Sequence, residues 1–174
     1  MGKTKDITLF GDIEEETVQR IYDRVQELNQ DKEVDKVRFL INSLGGEVTS
    51  TVTIAYILEE VNKPVEVEIL GEIGSCAAFL VCMLKNQGCK VACHRDSKFM
   101  IHTSRLEGNY ANFASELKDS VRSIKGANKI QIREIAKATK LSKKKIRKIV
   151  DGERDYEVVG KKIQKIGLAD RVIK

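Results

Sequence analysis

The feature that most constrains the fold of this chain is a repeated order of apolar strand, glycine break and amphipathic helix. Residues 7–10 end at Gly11, and residues 37–41 are followed by Gly45-Gly46. Residues 65–70 alternate polar and apolar side chains, which predicts a strand with one solvated face. This alternating order predicts an α/β fold with substantial parallel pairing. The predicted strands are 7–10, 37–41, 65–70, 90–93, 98–101 and 169–173, and helices are predicted to begin near Asp12, Val48 and Ser75.

The length and composition are those of one globular domain. A chain of 174 residues can bury a core without disulfide bonds. No apolar stretch approaches the roughly 20 residues of a membrane span, and no signal pattern is present, so we expect a cytoplasmic protein without a membrane partner. The spacing of its four cysteines does not suit a structural zinc site, so we expect no metal and no cofactor.

The basic excess is local and lies near the C-terminus. Apolar residues interleave with the cations at helical spacing, which indicates the solvated face of an amphipathic helix. Nucleic-acid binding is the alternative interpretation. With 5% aromatic residues and no Trp, the chain offers little to stack on bases, and we expect no nucleic-acid partner. The cations are Lys140, Lys143, Lys144, Lys145, Arg147 and Lys148.

A long helix is predicted to begin near Tyr110 or Asn112 and to continue towards Lys137. A helix of about 25 residues extends roughly 37 Å, more than a domain of this size needs to cover its sheet. We therefore expect it to project and to mediate self-association. A helix that folds back over the domain is the alternative.

Ser75 follows Gly71 and Gly74 and opens an apolar helix. A strand-to-helix junction of this kind exposes the hydroxyl and directs the first helical amides outward, so it offers a nucleophile and a positive field for an oxyanion. The alternative is that Ser75 only caps the helix. The segment is not the G-x-S-x-G motif, because Ile73 occupies the first glycine position.

A serine nucleophile needs a base and an orienting carboxylate. His102 ends an apolar strand that would fix its ring, whereas His94 lies in a predicted surface turn, so His102 is the favoured base. Asp155 is the candidate carboxylate, just ahead of a predicted helix that it could instead cap. Asp151 and Glu153 compete with it, and sequence position alone does not select among them.

The Gly45-Gly46 pair is a candidate for oxyanion and substrate binding. Glycine allows the chain to pass close to a ligand and to lend it a backbone N–H. A plain polar turn, in which Asn42 and Ser43 satisfy backbone groups, is the alternative.

Four motifs resemble those of the proteolytic subunit of the Clp protease. They are residues 41–46, 71–79, 100–102 and 153–155, the last followed by residues 166–170, and the resemblance covers residues 7–173. It implies Ser75 as nucleophile, His102 as base and Asp155 as orienting carboxylate, with the amides of Gly46 and Cys76 as the oxyanion hole. Leu44 and Thr103-Ser104 stand where the family usually has proline.

The resemblance also implies an architecture and partners. The family fold is a spiral of ββα units shared with the crotonases, and its protruding handle helix, here within residues 106–137, joins two seven-membered rings into a closed chamber. We therefore expect a homo-oligomer of heptameric rings, up to a tetradecamer, that takes peptides or unfolded proteins. Because the chain begins near its first strand, we expect it to lack the N-terminal segments with which the family engages an unfoldase ATPase. A divergent phage or plasmid member that acts on capsid or scaffold proteins fits equally well.

The functional hypothesis is a serine endopeptidase of the Clp type. A crotonase-like acyl-CoA enzyme would share the oxyanion geometry but would leave Ser75, His102 and Asp155 without a role. A catalytically silent assembly subunit is a third interpretation, against which the full triad argues. A related membrane-associated signal-peptide peptidase would use a lysine base, for which the sequence offers no good candidate.

Overall fold

The structure, a computed structural model, describes residues 3–103, 114–152 and 155–174, with residues 114–120 described by their backbone alone. Over these ranges the chain forms seven strands and six helices in largely alternating order, which confirms the predicted α/β fold. The strands are β1 Lys3–Phe10, β2 Val34–Ser43, β3 Val65–Gly74, β4 Lys90–His94, β5 Lys98–Ile101, β6 Tyr156–Val159 and β7 Arg171–Ile173. The helices are α1 Glu15–Gln30, α2 Val48–Glu59, α3 Ser75–Asn86, α4 Ala114–Ala138, α5 Lys143–Val150 and α6 Lys161–Lys165.

The sheet branches at β3. Its main path has the order β1-β2-β3-β4-β7 with parallel pairing throughout. The first half of β3 pairs with β4 over Glu66–Ile69, whereas its second half pairs with β5 over Glu72–Gly74. β6 then pairs antiparallel with β5. The second half of β3 therefore carries a separate branch of the sheet, β3-β5-β6.

Asn42 and Gly71 accommodate the change of partner along β3. β2 and β3 pair Ile41 with Ile69 and Ser43 with Ile73, so β3 holds two residues more than β2 between these pairs. The Asn42 side chain fills the irregularity, because its Oδ1 accepts a hydrogen bond from the Glu72 amide at 2.8 Å. A Cβ on residue 71 would lie 2.4 Å from that oxygen, so a larger residue there would have to displace the Asn42 side chain.

The core lies between one face of the sheet and the helices. Alternate strand residues are fully buried on that face, in keeping with the two-residue period of a strand. From the helices, Ile21, Val25, Leu28, Ile54 and Leu58 complete the core, together with an almost wholly buried α3. The buried strand residues are Ile7, Leu9, Val37, Phe39, Ile41, Val67, Ile69, Val91, Cys93, Phe99 and Ile101.

Helix α1 begins later than the sequence predicts. The helix predicted to begin near Asp12 spans Glu15–Gln30 with Glu14 as its N-cap, and the carbonyl of Asp12 accepts a hydrogen bond from the Thr17 hydroxyl. Residues 11–13 are held by the bridge between Ile13 and Gly46, which delays the start of the helix.

The described part of the long helix spans 25 residues, and its predicted start at Tyr110 or Asn112 lies outside the described residues.

The face of the sheet opposite the helices carries paired charges. Glu66 on β3 contacts Lys36 on β2 and Arg171 on β7, so one carboxylate links three strands. Its side chain is only 12% exposed. The predicted solvated face of β3 is therefore largely covered by cations from the neighbouring strands.

The outer edge of β1 is protected by arginines of α1. The Arg20 guanidinium donates to the carbonyl of Thr8 at 2.8 Å, and that of Arg24 donates to the carbonyl of Asp6 at 3.1 Å. Unpaired edge carbonyls attract strands from other chains, so these side chains block edge-to-edge pairing.

The helix prediction for the basic cluster is confirmed. α5 buries Ile146, Ile149 and Val150 and exposes the cations between them. In the described ranges, no helix is long and apolar enough to cross a membrane.

We expect Glu66→Gln to lower the free energy of unfolding by about 1–3 kcal/mol at pH 7, because it removes the charge of a mostly buried carboxylate that pairs with two half-exposed cations. The hydrogen bond from Lys36 holds the pKa of Glu66 below its ordinary value. A lowered pKa stabilises the fold above the unfolded pKa, and this contribution is lost as pH falls through the folded pKa.

Denaturant unfolding of both proteins at neutral and acidic pH measures this effect. The difference between wild type and Glu66→Gln shrinks towards zero at acidic pH. The matched control is Glu33→Gln, since Glu33 pairs with Lys3 while 76% exposed, and it changes stability by less than about 0.5 kcal/mol. A pH-independent loss in Glu66→Gln would contradict the role of the ion pair.

Candidate active site

Ser75 lies at the junction between β3 and α3, as predicted. β3 ends at Gly74, and Ser75 is the first residue of the helix. Its φ of 50° is the only positive value for a residue other than glycine in the described part of the chain. A non-glycine residue in this region is strained, and such strain clusters at functional sites. The capping alternative does not hold, because Gly74 is the N-cap and no side chain caps this helix.

The Gly45 backbone lies directly against this junction. Gly45 has a φ of 116°, and a Cβ on it would lie 2.9 Å from the Ser75 Cβ and 3.0 Å from the Cys76 nitrogen. Only glycine allows this approach. The loop is anchored on its other side, where the Ile13 amide donates to the Gly45 carbonyl at 2.8 Å and the Glu47 amide donates to the Ile13 carbonyl at 2.8 Å.

The predicted polar turn also forms, with Ser43 as its acceptor. The buried Ser43 hydroxyl accepts a hydrogen bond from the Gly45 amide at 3.1 Å. The two interpretations of the Gly45-Gly46 segment are therefore compatible: it is a polar turn, and it brings glycine backbone to Ser75.

The Cys76 side chain lies between the glycine loop and helix α2. Burial raises the pKa of the Cys76 thiol, while contacts with the hydroxyls of Thr51 and Ser75 and with the Gly46 amide act in the opposite direction. The Gly46 amide and the Ser75 hydroxyl are therefore neighbours of one thiol. As the second residue of α3, Cys76 also has a backbone N–H without an acceptor inside its own helix.

His102 directly follows β5, next to β3 in the branch. Gly74 of β3 pairs with Met100 of β5, so the residues beyond these two emerge side by side at the carboxyl ends of parallel strands. The His102 ring is partly buried, and its Nδ1–H donates to the carbonyl of Thr103 at 2.6 Å. With Nδ1 as the donor, Nε2 is the nitrogen that can accept a proton.

Asp155 and His102 stand next to the last residue pair of β5 and β6. β5 and β6 run antiparallel and pair Ile101 with Tyr156, so the next pair in that register is His102 with Asp155. The prediction that Asp155 precedes a helix is wrong, since β6 follows it. The aromatic and β-branched residues of 156–159 suit a strand, and their pairing covers the outer edge of β5.

The structure therefore brings the three predicted residues to one edge of the β3-β5-β6 branch. Within the described part of the chain, no hydrogen bond directly joins Ser75, His102 and Asp155, and Asp155 is exposed. Of the competing carboxylates, Asp151 ends α5, and Glu153 lies outside the described residues.

The other histidine has a different environment from the one predicted. His94 is the last residue of β4 and not part of a surface turn, and its Nε2 lies 2.9 Å from Oε1 of Glu68, a side chain on β3 that is 10% exposed. The turn begins one residue later and is closed by the Ser97 hydroxyl, which accepts from the His94 amide. The contact with Glu68 fixes this ring on the charged face of the sheet.

Sequence reasoning did not identify two residues that support the site. The fully buried Thr51 hydroxyl donates to the Glu47 carbonyl at 2.7 Å and contacts the Cys76 thiol. The carbonyl of Thr103 holds the His102 ring. Thr51 carries only a weak signal, because a helical threonine commonly bonds the carbonyl four residues earlier. The role of a carbonyl has no signal in the sequence.

The described residues contain no group of three or more His, Cys, Asp or Glu that could hold a metal ion. All four cysteines are free thiols, and burial raises the pKa of Cys82, Cys89 and Cys93. A raised pKa keeps a thiol protonated and therefore unreactive.

The chain also matches a known protein family. The Clp protease family matches over residues 1–174. The match covers the strained serine, the glycine loop beside it and the strands that carry the histidine and the aspartate. From its extent we conclude that this chain belongs to the Clp protease family, a family of serine peptidases.

Proposed function

We propose that this protein is a serine endopeptidase that uses Ser75 as nucleophile, His102 as general base and Asp155 as orienting carboxylate. The register of the β3-β5-β6 branch carries the proposal, because it leads these three residues to one edge of the sheet. The strained φ of Ser75 and the Nδ1–H tautomer of His102 support the assignment of roles. Asp155 would take over the Nδ1–H that Thr103 accepts in this structure.

The reaction proceeds through an acyl-enzyme. The Ser75 Oγ bonds to the carbonyl carbon of the substrate while His102 Nε2 takes the hydroxyl proton. The negative charge on the carbonyl oxygen is received by the amides of Gly46 and Cys76. The C–N bond then breaks as His102 gives the proton to the leaving amine. A water molecule, activated by the same imidazole, hydrolyses the ester and regenerates Ser75.

The substrate class proposed is an extended polypeptide, unfolded or short. Gly45 places its backbone beside Ser75, and Gly46 follows it next to the Cys76 thiol. We propose that an extended peptide pairs with the backbone of this Gly45-Gly46 segment as an added strand. Such recognition depends on the main chain more than on side chains. Access to the site, and not side-chain recognition, would then select what is cleaved.

Restricted access would come from assembly into rings in the cytoplasm. Val121 and Ile130 of α4 are exposed, whereas Gln131, Ile135 and Ala138 near the end of the helix are buried. Exposed apolar side chains on this helix would be available for contact with a second copy. We propose a homo-oligomer of heptameric rings.

We expect Ser75→Ala to abolish peptidase activity and labelling by a fluorophosphonate, because the probe bonds to an activated serine hydroxyl. The measurement is the mass of the intact protein after exposure to the probe. Circular dichroism and solution mass remain those of wild type, since only one oxygen atom is removed.

Cys76→Ala is the matched control for this variant. It removes the neighbouring nucleophilic atom but keeps the backbone amide proposed for the oxyanion hole, so labelling persists. Labelling that survives in Ser75→Ala and disappears in Cys76→Ala would assign the nucleophile to Cys76 and refute the role of Ser75.

We expect Asp155→Asn to reduce kcat by about 10²- to 10⁴-fold, because the amide can no longer hold His102 in the Nδ1–H tautomer and stabilise its positive charge. The measurement is the steady-state hydrolysis of a fluorogenic peptide. Asp151→Asn, the same chemical change four residues earlier in an exposed position, leaves kcat within about twofold of wild type. The reverse ranking would show that Asp151 orients the histidine.

A further inference from the structure

Helix α5 presents a strongly basic surface with no acidic residue of its own. Its eight residues include five cations, and the other three, Ile146, Ile149 and Val150, are buried. We call Lys143, Lys144 and Arg147 the α5 basic face. All three side chains are exposed. Lys145 differs from them, because its Nζ lies 4.2 Å above the centre of the Tyr156 ring.

The side chains of the α5 basic face have no carboxylate partner in the described residues, unlike several cations on the sheet. On the sheet, Lys36 pairs with Glu66, Arg38 with Asp6, and Lys98 with Glu72 and Glu157. Over residues 3–103, 114–152 and 155–174, no ion pair or hydrogen bond engages the side chains of the α5 basic face. Its charges are therefore available to a partner.

The distribution of charge along α5 disfavours formation of this helix on its own. Lysines fill the first turn of α5, where the helix dipole favours anions, and no acidic residue lies there. Lys143 and Arg147 are also four residues apart, a spacing at which like charges repel. The Ser142 cap and three buried apolar residues hold the helix in place despite this repulsion. Binding of an anion would relieve this repulsion.

The environment of α5 narrows the choice of anionic partner. Basic amphipathic helices that bind membranes or enter a protein groove use a free apolar face, and the apolar face of α5 is buried in the core. Binding of single-stranded nucleic acid relies on aromatic side chains that stack on bases. Tyr156, the aromatic residue in contact with the helix, is already covered by Lys145.

We propose that the α5 basic face binds an acidic, extended segment of a polypeptide. Residues four apart on a helix are separated by roughly 6 Å along its axis. Alternate residues of an extended chain are separated by about 6.6 Å, so alternating carboxylates match the cations at 143 and 147. Segments rich in Asp and Glu stay extended through self-repulsion, and pairing with this face relieves repulsion on both sides.

The test is fluorescence anisotropy of a labelled peptide in which Glu alternates with Ser. The protein carries Ser75→Ala, so the proposed peptidase reaction cannot consume the probe and the result does not depend on that proposal. We expect binding at low ionic strength, loss of binding when the Debye length falls to about 5 Å or less, and no binding of the matched peptide with Gln for Glu.

Two double variants locate the site. Lys143→Gln with Lys144→Gln weakens binding about fivefold to tenfold. Lys5→Gln with Lys32→Gln removes the same charge at the β1 edge and leaves binding within about twofold. The α5 variant melts at the wild-type temperature or slightly above it, because a repulsion is removed. A lower melting temperature would assign these lysines a structural role and contradict the proposal.

The remaining outcomes are equally decisive. Equal weakening by both double variants would show that net charge and not the α5 basic face attracts the peptide. Equal binding of the Glu and Gln peptides would refute recognition of carboxylates. A single-stranded oligonucleotide and the unlabelled peptide are compared as competitors, with concentrations counted per negative charge. If the oligonucleotide displaces the labelled peptide at the lower concentration, the α5 basic face is a nucleic-acid surface and the proposal is overturned.

Discussion

The division of β3 between two neighbours is the constraint on which the rest of the structure depends. The first half of the strand pairs with β4 and builds the main sheet, and the second half pairs with β5 and leads to the site. The division requires an irregularity at which β3 has two residues more than β2. The side-chain Oδ1 of Asn42 bonds to the backbone of β3 at this irregularity, and Gly71 leaves room for it because it has no side chain. A larger residue at 71 would displace Asn42 and, with it, the alignment of β3 against β5.

Backbone geometry at the end of β3 accounts for most features of the proposed site. The strain at Ser75 is tolerated because the strand before it and the buried helix after it fix both ends of the junction. Gly45 approaches closely because it has no side chain, and its loop is held by hydrogen bonds to Ile13 and Ser43. The amides proposed for the oxyanion hole are therefore positioned by main-chain contacts, which a substitution on the surface would not disturb.

The order of strands and helices and the position of Ser75 could be predicted from the sequence, because both depend on local patterns. The α/β order, the bounds of α3 and the apolar face of α5 follow from periodicity, and Ser75 followed from the glycines before it. The neighbours of Asp155 and His94 could not be predicted. β6 is a strand because it pairs with β5, more than fifty residues away in the sequence, and His94 is held by Glu68 on another strand. Pairing over such separations leaves no periodic signal.

The central claim is that one hydroxyl, one imidazole and one carboxylate act together at the end of the β3-β5-β6 branch. A crystal structure of the protein with a peptide boronate tests it most directly, because boron forms a tetrahedral adduct that imitates the intermediate. We expect boron bonded to the Ser75 Oγ, one boronate oxygen about 2.7–3.1 Å from the amides of Gly46 and Cys76, and the Asp155 carboxylate as acceptor of the His102 Nδ1–H. An adduct on another residue, or one in which His102 remains bonded to the Thr103 carbonyl with Asp155 turned to solvent, would contradict the account.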